Sequence, residues 1–170
     1  SNLHVTASTE GAPIPRLYGR ARLGGQVIWA TDFEEEVITT SQSSGSGKGG
    51  SFGASPETTS TEYRYFANLA VALCEGPISR IGRVWVDGRE LDLTNITWRL
   101  HRGEDDSGVD SLIEAREGAG KAPAYRGVAY IVFERMALAE FGNRVPQFSF
   151  EVFRTTDDTD ANIKGVVLIP

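Results

Sequence analysis

Four short stretches of the sequence contain residue types that could carry chemistry. The first is "GSGKGG", residues 45–50, which has the glycines and the lysine of a phosphate-binding loop. The upstream position that should be glycine is Gln42, and Gly49 stands where such a loop has Ser or Thr. No helix is predicted after it to direct an N-terminus at a phosphate. The composition therefore predicts a flexible loop and no nucleotide site.

Two single nucleophiles are the next candidates. Ser51 lies in "GGSFG", which matches the G-x-S-x-G string of hydrolases, but that motif requires a strand before the serine and a helix after it. Neither is predicted around Ser51. Cys74, the only cysteine, stands at the end of an apolar stretch, whereas a reactive thiolate needs a nearby base or cation. We predict that Cys74 is a small buried core residue.

The fourth candidate is the acidic stretch "GEDDSGVD", whose carboxylates could coordinate Ca²⁺. These carboxylates are Glu104, Asp105, Asp106 and Asp110. The stretch lacks the regular alternation of an EF-hand loop, and acidic residues also favour the N-terminus of a helix. The chain has two histidines and one cysteine, so other metal sites lack ligands. We predict no catalytic, cofactor-binding or metal-binding residue.

The elements that must position these residues are mostly β-strands. Residues 16–23 alternate between arginines and small or apolar residues, which is the period of a strand. Gly24-Gly25 interrupts the pattern before "QVIWATDF", and we predict a hairpin there. The strand "EYRYFANLAVALCEG" stops at Gly76-Pro77. Asp87-Gly88, after "ISRIGRVWV", predicts a second hairpin turn.

One short helix is predicted in "EDDSGVDSLIEAREGAG". Asp110 can cap its N-terminus, or Ser111 and Glu114 can form a capping box one residue later. Gly118 is expected to end it. Further strands are predicted in "AYRGVAYIVFERM" and "QFSFEVFRT". About eight strands and one helix place the chain in the mainly-β class, as a β-barrel or sandwich.

The composition predicts one domain over residues 3–155. Residues 41–61 are nearly all Ser, Gly and Thr, so we predict a mobile loop there that contacts a neighbour only in an assembly. Residues 156–170 are expected to be a linker and the start of a following strand or domain. The chain is therefore expected to be a fragment of a longer protein.

Charge and hydropathy exclude several classes of protein. The net charge of −6 and the absence of a basic run argue against nucleic-acid binding. No stretch is long and apolar enough to insert into a membrane, and the first residues lack the pattern of a signal peptide. Two alternatives stay open. One is a carbohydrate- or receptor-binding sandwich that uses Trp29, Trp85 and Trp98, and the other is a cell-wall hydrolase with two facing carboxylates.

Four stretches in order resemble one family. "VALCEGPISRIGRVWVDGREL" is similar to a segment near the start of phage tail-tip proteins. "PIPRLYGRARLGGQVIW" resembles the opening of the same domain, "AYRGVAYIVFERMALAEFGNRVPQFSFEVFR" its end, and "SGSGKGG" its variable loop. The resemblance spans roughly residues 10 to 155. The similar proteins are the hub proteins of gene transfer agents and related siphophages, which are distantly akin to the tip attachment protein J of lambda-like phages.

The resemblance implies a structural role. It implies a tail-tube-like β-domain located at the virion tail tip, made in the bacterial cytoplasm, whose partners are tail-tube and distal tail proteins. It also implies a homotrimer for the full-length protein, whereas we expect a monomer for this fragment. The resemblance implies no catalytic residues, no cofactor and no enzymatic activity. In such a domain Glu75, Gly76 and Pro77 would form a structural corner, because Pro77 has no N–H to continue a ladder.

Overall fold

The computed structural model describes residues 11–42 and 58–155, and these residues form a mainly-β fold with one short α-helix, as predicted. The elements are, in chain order, β1 (Gly19–Gly24), β2 (Gln26–Ala30), β3 (Glu34–Gln42), β4 (Thr58–Glu75), β5 (Arg80–Val86), β6 (Arg89–Glu90), β7 (Thr97–His101), α1 (Ser111–Glu117), β8 (Val128–Ala137), a 3₁₀ turn (Ala139–Phe141) and β9 (Phe148–Arg154).

The strands form two antiparallel sheets that pack face to face. The first sheet has the order β1-β9-β5-β6, and the second has the order β2-β4-β8-β7, with β3 also paired to β4. Side chains of both sheets fill the space between them, among them Val71 and Phe133 from the second and Val84 and Phe150 from the first. Of the two predicted architectures the sheets match the sandwich, because they stay separate and do not close into a barrel.

The hairpin predicted at Gly24-Gly25 is wrong. β1 pairs with β9 in the first sheet, whereas β2 pairs with β4 in the second, so the chain crosses between the sheets at this point. The Gly25 N–H donates to the Phe148 carbonyl at 2.8 Å. A Cβ at Gly25 would lie 2.5 Å from Val71 and 2.7 Å from Phe150, so the crossing passes where only a glycine fits.

The long strand β4 forms the centre of the second sheet. Leu69, Val71 and Leu73 face the core between the sheets, and Ala70 faces the opposite side, as the alternation predicts. The pairing register with β8 shifts between Ala72 and Cys74. This irregularity breaks the alternation, so that the side chains of two successive residues, Leu73 and Cys74, both join the core.

The first half of β4 and the whole of β3 form a two-stranded ribbon, which we call the arm. Residues 34–42 pair with residues 58–66 in continuous antiparallel register, and β8 joins the other edge of β4 only from Phe66 onward. The predicted loop is therefore too long at both ends, because Ser41, Gln42 and residues 58–61 belong to strands. β-branched and hydroxyl side chains such as Thr suit an exposed strand. Residues 43–57, including "GSGKGG" and Ser51, lie outside the described residues.

Helix α1 packs on the outer side of the second sheet. Asp110 is its N-cap and accepts hydrogen bonds from the Leu112 and Ile113 N–H groups at 2.9 and 3.3 Å, which confirms the first of the two predicted starts. Gly118 ends the helix, and its N–H donates to the Glu114 carbonyl. Ile113 lies against a small apolar cluster formed with Ala70, Tyr130 and Val132. Ile113 is the one helix residue that is fully buried, and polar contacts of Glu117 with Trp29 and of Arg116 with Glu34 also join the helix to the second sheet.

Candidate functional site

The corner at Gly76 and Pro77 connects the two sheets. The Gly76 N–H donates to the Gly127 carbonyl at 2.9 Å, and the Ile78 N–H donates to the Arg102 carbonyl at 3.0 Å. The Gly76–Pro77 peptide bond is cis. A Cβ on Gly76 would overlap the backbone of Arg102 and Gly103. At this position the backbones approach too closely for any side chain.

Glu75 joins the corner to the segment that precedes β1. Its backbone N–H donates to the Pro15 carbonyl at 2.8 Å, and its carbonyl accepts from the Arg154 guanidinium at 3.2 Å. Its carboxylate lies 3.7 Å from Arg16. This ion pair with Arg16 is the contact that the structure gives the carboxylate.

Asp87 and Gly88 form the two-residue turn between β5 and β6. Both have positive φ, 48° and 82°, as the first and second positions of a tight hairpin turn require. The Asp87 carboxylate accepts from the Gln147 N–H at 3.0 Å and from the Arg144 guanidinium at 2.8 Å. The turn is therefore attached to the segment that leads into β9.

Cys74 is fully buried, as predicted. Burial raises the pKa of its thiol to about 11, because a thiolate would lose its hydration there. The thiol is thus protonated at neutral pH, whereas a nucleophilic cysteine reacts as its thiolate.

The acidic stretch divides into exposed residues and one buried residue. Asp110 is 2% exposed and is bound by Arg99 through two hydrogen bonds of 3.0 Å and by His101 Nε2 at 2.8 Å. Burial alone would raise the pKa of the Asp110 carboxyl, but these hydrogen bonds lower it to about 2. Among the described residues no group of three potential metal ligands lies together.

Sequence reasoning identified Asp110 as a helix cap and as one carboxylate of a conceivable Ca²⁺ loop. It missed Arg99 and His101, which reach it from β7, and it missed Tyr130, whose ring stacks on His101 at a centroid distance of 4.3 Å. These residues belong to different elements and carry no shared spacing in the sequence. The cluster anchors α1 to the second sheet.

The three tryptophans do not form one aromatic array. Trp29 and Trp98 belong to the second sheet, where Trp29 Nε1 donates to Glu117 of the helix at 2.7 Å. Trp98 pairs across the strands with Phe133, whose side chain is in the core. Trp85 lies on the first sheet. The receptor-binding alternative names these three residues as candidates and would be supported by an exposed aromatic array on one sheet face, whereas here Trp98 is 36% exposed and Trp85 belongs to the other sheet.

The outer surface of the first sheet carries four arginines over two aromatic rings, and we call it the arginine face. Arg22 and Arg83 lie 3.9 and 5.2 Å from the Trp85 ring, and Arg20 and Arg80 lie 5.2 and 3.6 Å from Phe153. Arg154 follows Phe153 in β9 and faces the other side of the sheet, where it joins Arg16 near Tyr18. Cation–π contacts of this kind hold a flexible arginine in place.

A buried carboxylate lies at the centre of the arginine face. Glu151 accepts from Arg20 Nε at 2.8 Å and from the Arg83 backbone N–H at 3.1 Å. Burial alone would raise the pKa of the Glu151 carboxyl, but these two arginines lower it. The side chains of Arg20 and Arg83 are nevertheless 52% and 56% exposed, so their remaining N–H groups face solvent.

A comparison with solved structures connects this fold to a virus-like particle. Over 93% of its length the chain superimposes on one chain of the virion of a native gene transfer agent particle, with a TM-score of 0.66 and 44% sequence identity. The chain is similar to a virion protein. It spans 30% of the length of that chain. No protein-family profile matches the chain, and no curated protein does.

The similarity supports a phage-like structural component. The superposition covers nearly the whole two-sheet fold. No helix in the described part of the chain is long and apolar enough to cross a membrane.

Proposed function

We propose that the chain is a domain of a hub protein at the distal tip of a phage-like tail. The observation that carries the proposal is the 44% identity to a gene transfer agent virion chain over 93% of this chain. Since the chain spans 30% of that protein, further domains would belong to the same hub. The domain would sit on the end of the tail tube and connect it to host-contacting parts.

The side-chain environments support architecture over catalysis. The nucleophile candidate Cys74 is buried and protonated. His101 binds the carboxylate of Asp110, which caps the helix, and Arg99 is bound to the same carboxylate. We therefore propose a non-enzymatic role, with neither cofactor nor metal, in which Glu75, Gly76 and Pro77 act as a structural corner and Asp87 and Gly88 as a hairpin turn.

The arm is the part of the domain best suited to reach a neighbour. Its residues are mostly exposed, and the cross-strand pair Val37 and Tyr63 leaves 52% and 54% of its surface open. We propose that the arm contacts tail-tube or distal tail proteins, and that the full-length hub closes as a homotrimer around the tail axis. This domain would contact neither nucleic acid nor membrane.

The proposal predicts one location in the particle. The gene for the whole protein would be expressed with an epitope tag, and purified particles would be labelled with gold-conjugated antibody and imaged. We expect one cluster of label at the free end of each tail. Label along the tail or on the head would overturn the hub assignment, and it would leave a general virion role in place.

A further inference from the structure

The arginine face brings positive charge together in a chain whose net charge is −6. Its four arginines are accompanied by two carboxylates, Glu151 at its centre and Glu90, which pairs with Trp85 across β5 and β6. The sequence shows no basic run here because the arginines come from β1 and β5. Pairing of both strands with β9 places the arginines on one surface.

The guanidiniums of this face are held in place before any partner binds. Arg22 lies 3.9 Å from the Trp85 ring and donates to the Ser149 hydroxyl at 3.0 Å. Arg80 lies 3.6 Å from the Phe153 ring. An arginine that is already oriented loses less side-chain entropy on binding and still offers bidentate hydrogen bonds to an oxyanion.

The composition of the face fits a protein partner better than a nucleic acid. Arginine together with Trp is the composition of protein interface centres. No lysine among the described residues lies on the face. Guanidiniums lie over the Trp85 and Phe153 rings, which therefore offer no stacking platform for bases.

We propose that the arginine face is a docking surface for an acidic protein segment, whose carboxylates replace solvent around Arg20, Arg22 and Arg83. The kind of partner rests on the proposed assembly role, since a tail component must adhere to its neighbours. The binding itself is a property of the isolated chain. Its failure and a wrong location in the particle are therefore separate results.

A titration of the isotopically labelled 170-residue chain tests the proposal. The probe is a synthetic peptide of alternating Glu and Ala. Its binding is followed through the amide chemical shifts of the labelled chain at about 20 mM salt, where surface charges are weakly screened. We expect saturable shifts confined to β1, β5 and β9. The affinity should fall at about 0.15 M salt.

Two double variants with the same net charge distinguish binding at the arginine face from non-specific electrostatic attraction of the peptide. R22Q/R83Q removes the two guanidiniums on Trp85, and R102Q/R126Q removes two arginines elsewhere. We expect the first to weaken peptide binding about three- to tenfold and the second to change it less than about twofold. Dispersed spectra would show that both variants are folded.

Three results would overturn the proposal. The first is the absence of saturable shifts on β1, β5 and β9. The second is an equal loss of affinity in the two double variants. The third is tighter binding of a single-stranded DNA oligonucleotide of matched charge, which would assign the face to nucleic acid.

Discussion

Single residues in this domain matter most where two backbones meet. Gly76 has no room for a Cβ because the backbone of Arg102 and Gly103 lies against it. Gly25 has none because Val71 and Phe150 fill the space. Substituting a larger residue at Gly76 requires backbone movement, whereas at Gly25 the Val71 and Phe150 side chains would have to repack.

The close approach at Gly76 predicts a large loss of stability in Gly76→Ala. We expect the free energy of unfolding to fall by about 2–4 kcal/mol, because the added methyl group meets backbone atoms and not a flexible side chain. Urea denaturation of both proteins measures this loss in the free energy of unfolding. Gly108→Ala is the matched control, since a Cβ there meets nothing within 4 Å, and it should change stability by less than about 0.5 kcal/mol. Equal losses in both variants would show that the corner is not tightly packed.

Asp110 predicts a pH-dependent contribution to stability. Its folded pKa of about 2 lies below the ordinary value of 3.8, so its ionised form stabilises the fold fully above about pH 4, and the effect is lost as the pH falls toward 2. Asp110→Asn keeps a capping side chain but removes the charge that faces Arg99. At pH 7 it should cost about 2 kcal/mol.

The quantity to measure is the difference in the free energy of unfolding between the unsubstituted chain and Asp110→Asn. We expect it to shrink steadily in denaturation experiments between about pH 4 and pH 2. The exposed Asp106→Asn serves as a control and should show no such trend. A difference that stays constant with pH would mean that the ion pair with Arg99 does not stabilise the fold.

Among the elements, β4 has two halves with different environments. Residues 69–73 are buried between β2 and β8. Residues 59–63 are exposed and pair only with β3. One continuous strand thus runs from the core into the arm.

The two halves of β4 should differ in amide hydrogen exchange. Opening the arm exposes little apolar surface, whereas opening residues 69–73 disrupts the core. We expect residues 59–63 to exchange at least about a hundredfold faster than residues 69–73, measured residue by residue by nuclear magnetic resonance. Uniform protection along β4 would indicate that the arm is part of the same cooperative unit.

The whole molecule is predicted to be a monomer in dilute solution. A ring must overcome an association cost on the order of 4–15 kcal/mol, and a chain that covers 30% of its relative offers only part of an interface. Sedimentation at micromolar concentration in about 0.15 M salt measures this. The full-length hub should sediment as a trimer. A two-fold dimer burying more than about 1,600 Å² would contradict the hub proposal, because two-fold symmetry does not fit the tip of a tube.

Local patterns predicted the elements but not their partners. The strand β9, the helix cap Asp110 and the turn at Asp87 and Gly88 were readable because each depends on neighbours within a few residues. The predicted hairpin at Gly24-Gly25 failed, since a turn and a crossing between sheets share the same glycine signal. The predicted ends of the loop were wrong because polar Thr and Ser residues occur in the paired strands of the arm as well as in loops.

The sequence by itself determined the mainly-β class, the single helix with its cap, the burial of Cys74 and the likeness to a virion protein. Only the tertiary structure decided which strands pair, where the arm begins, which residues bind Asp110 and that four scattered arginines share one face. The physical reason is the distance along the chain over which each interaction acts. Propensities and caps act between residues close in the chain, whereas the arginine face joins residues such as Arg20 and Glu151, which are 131 positions apart.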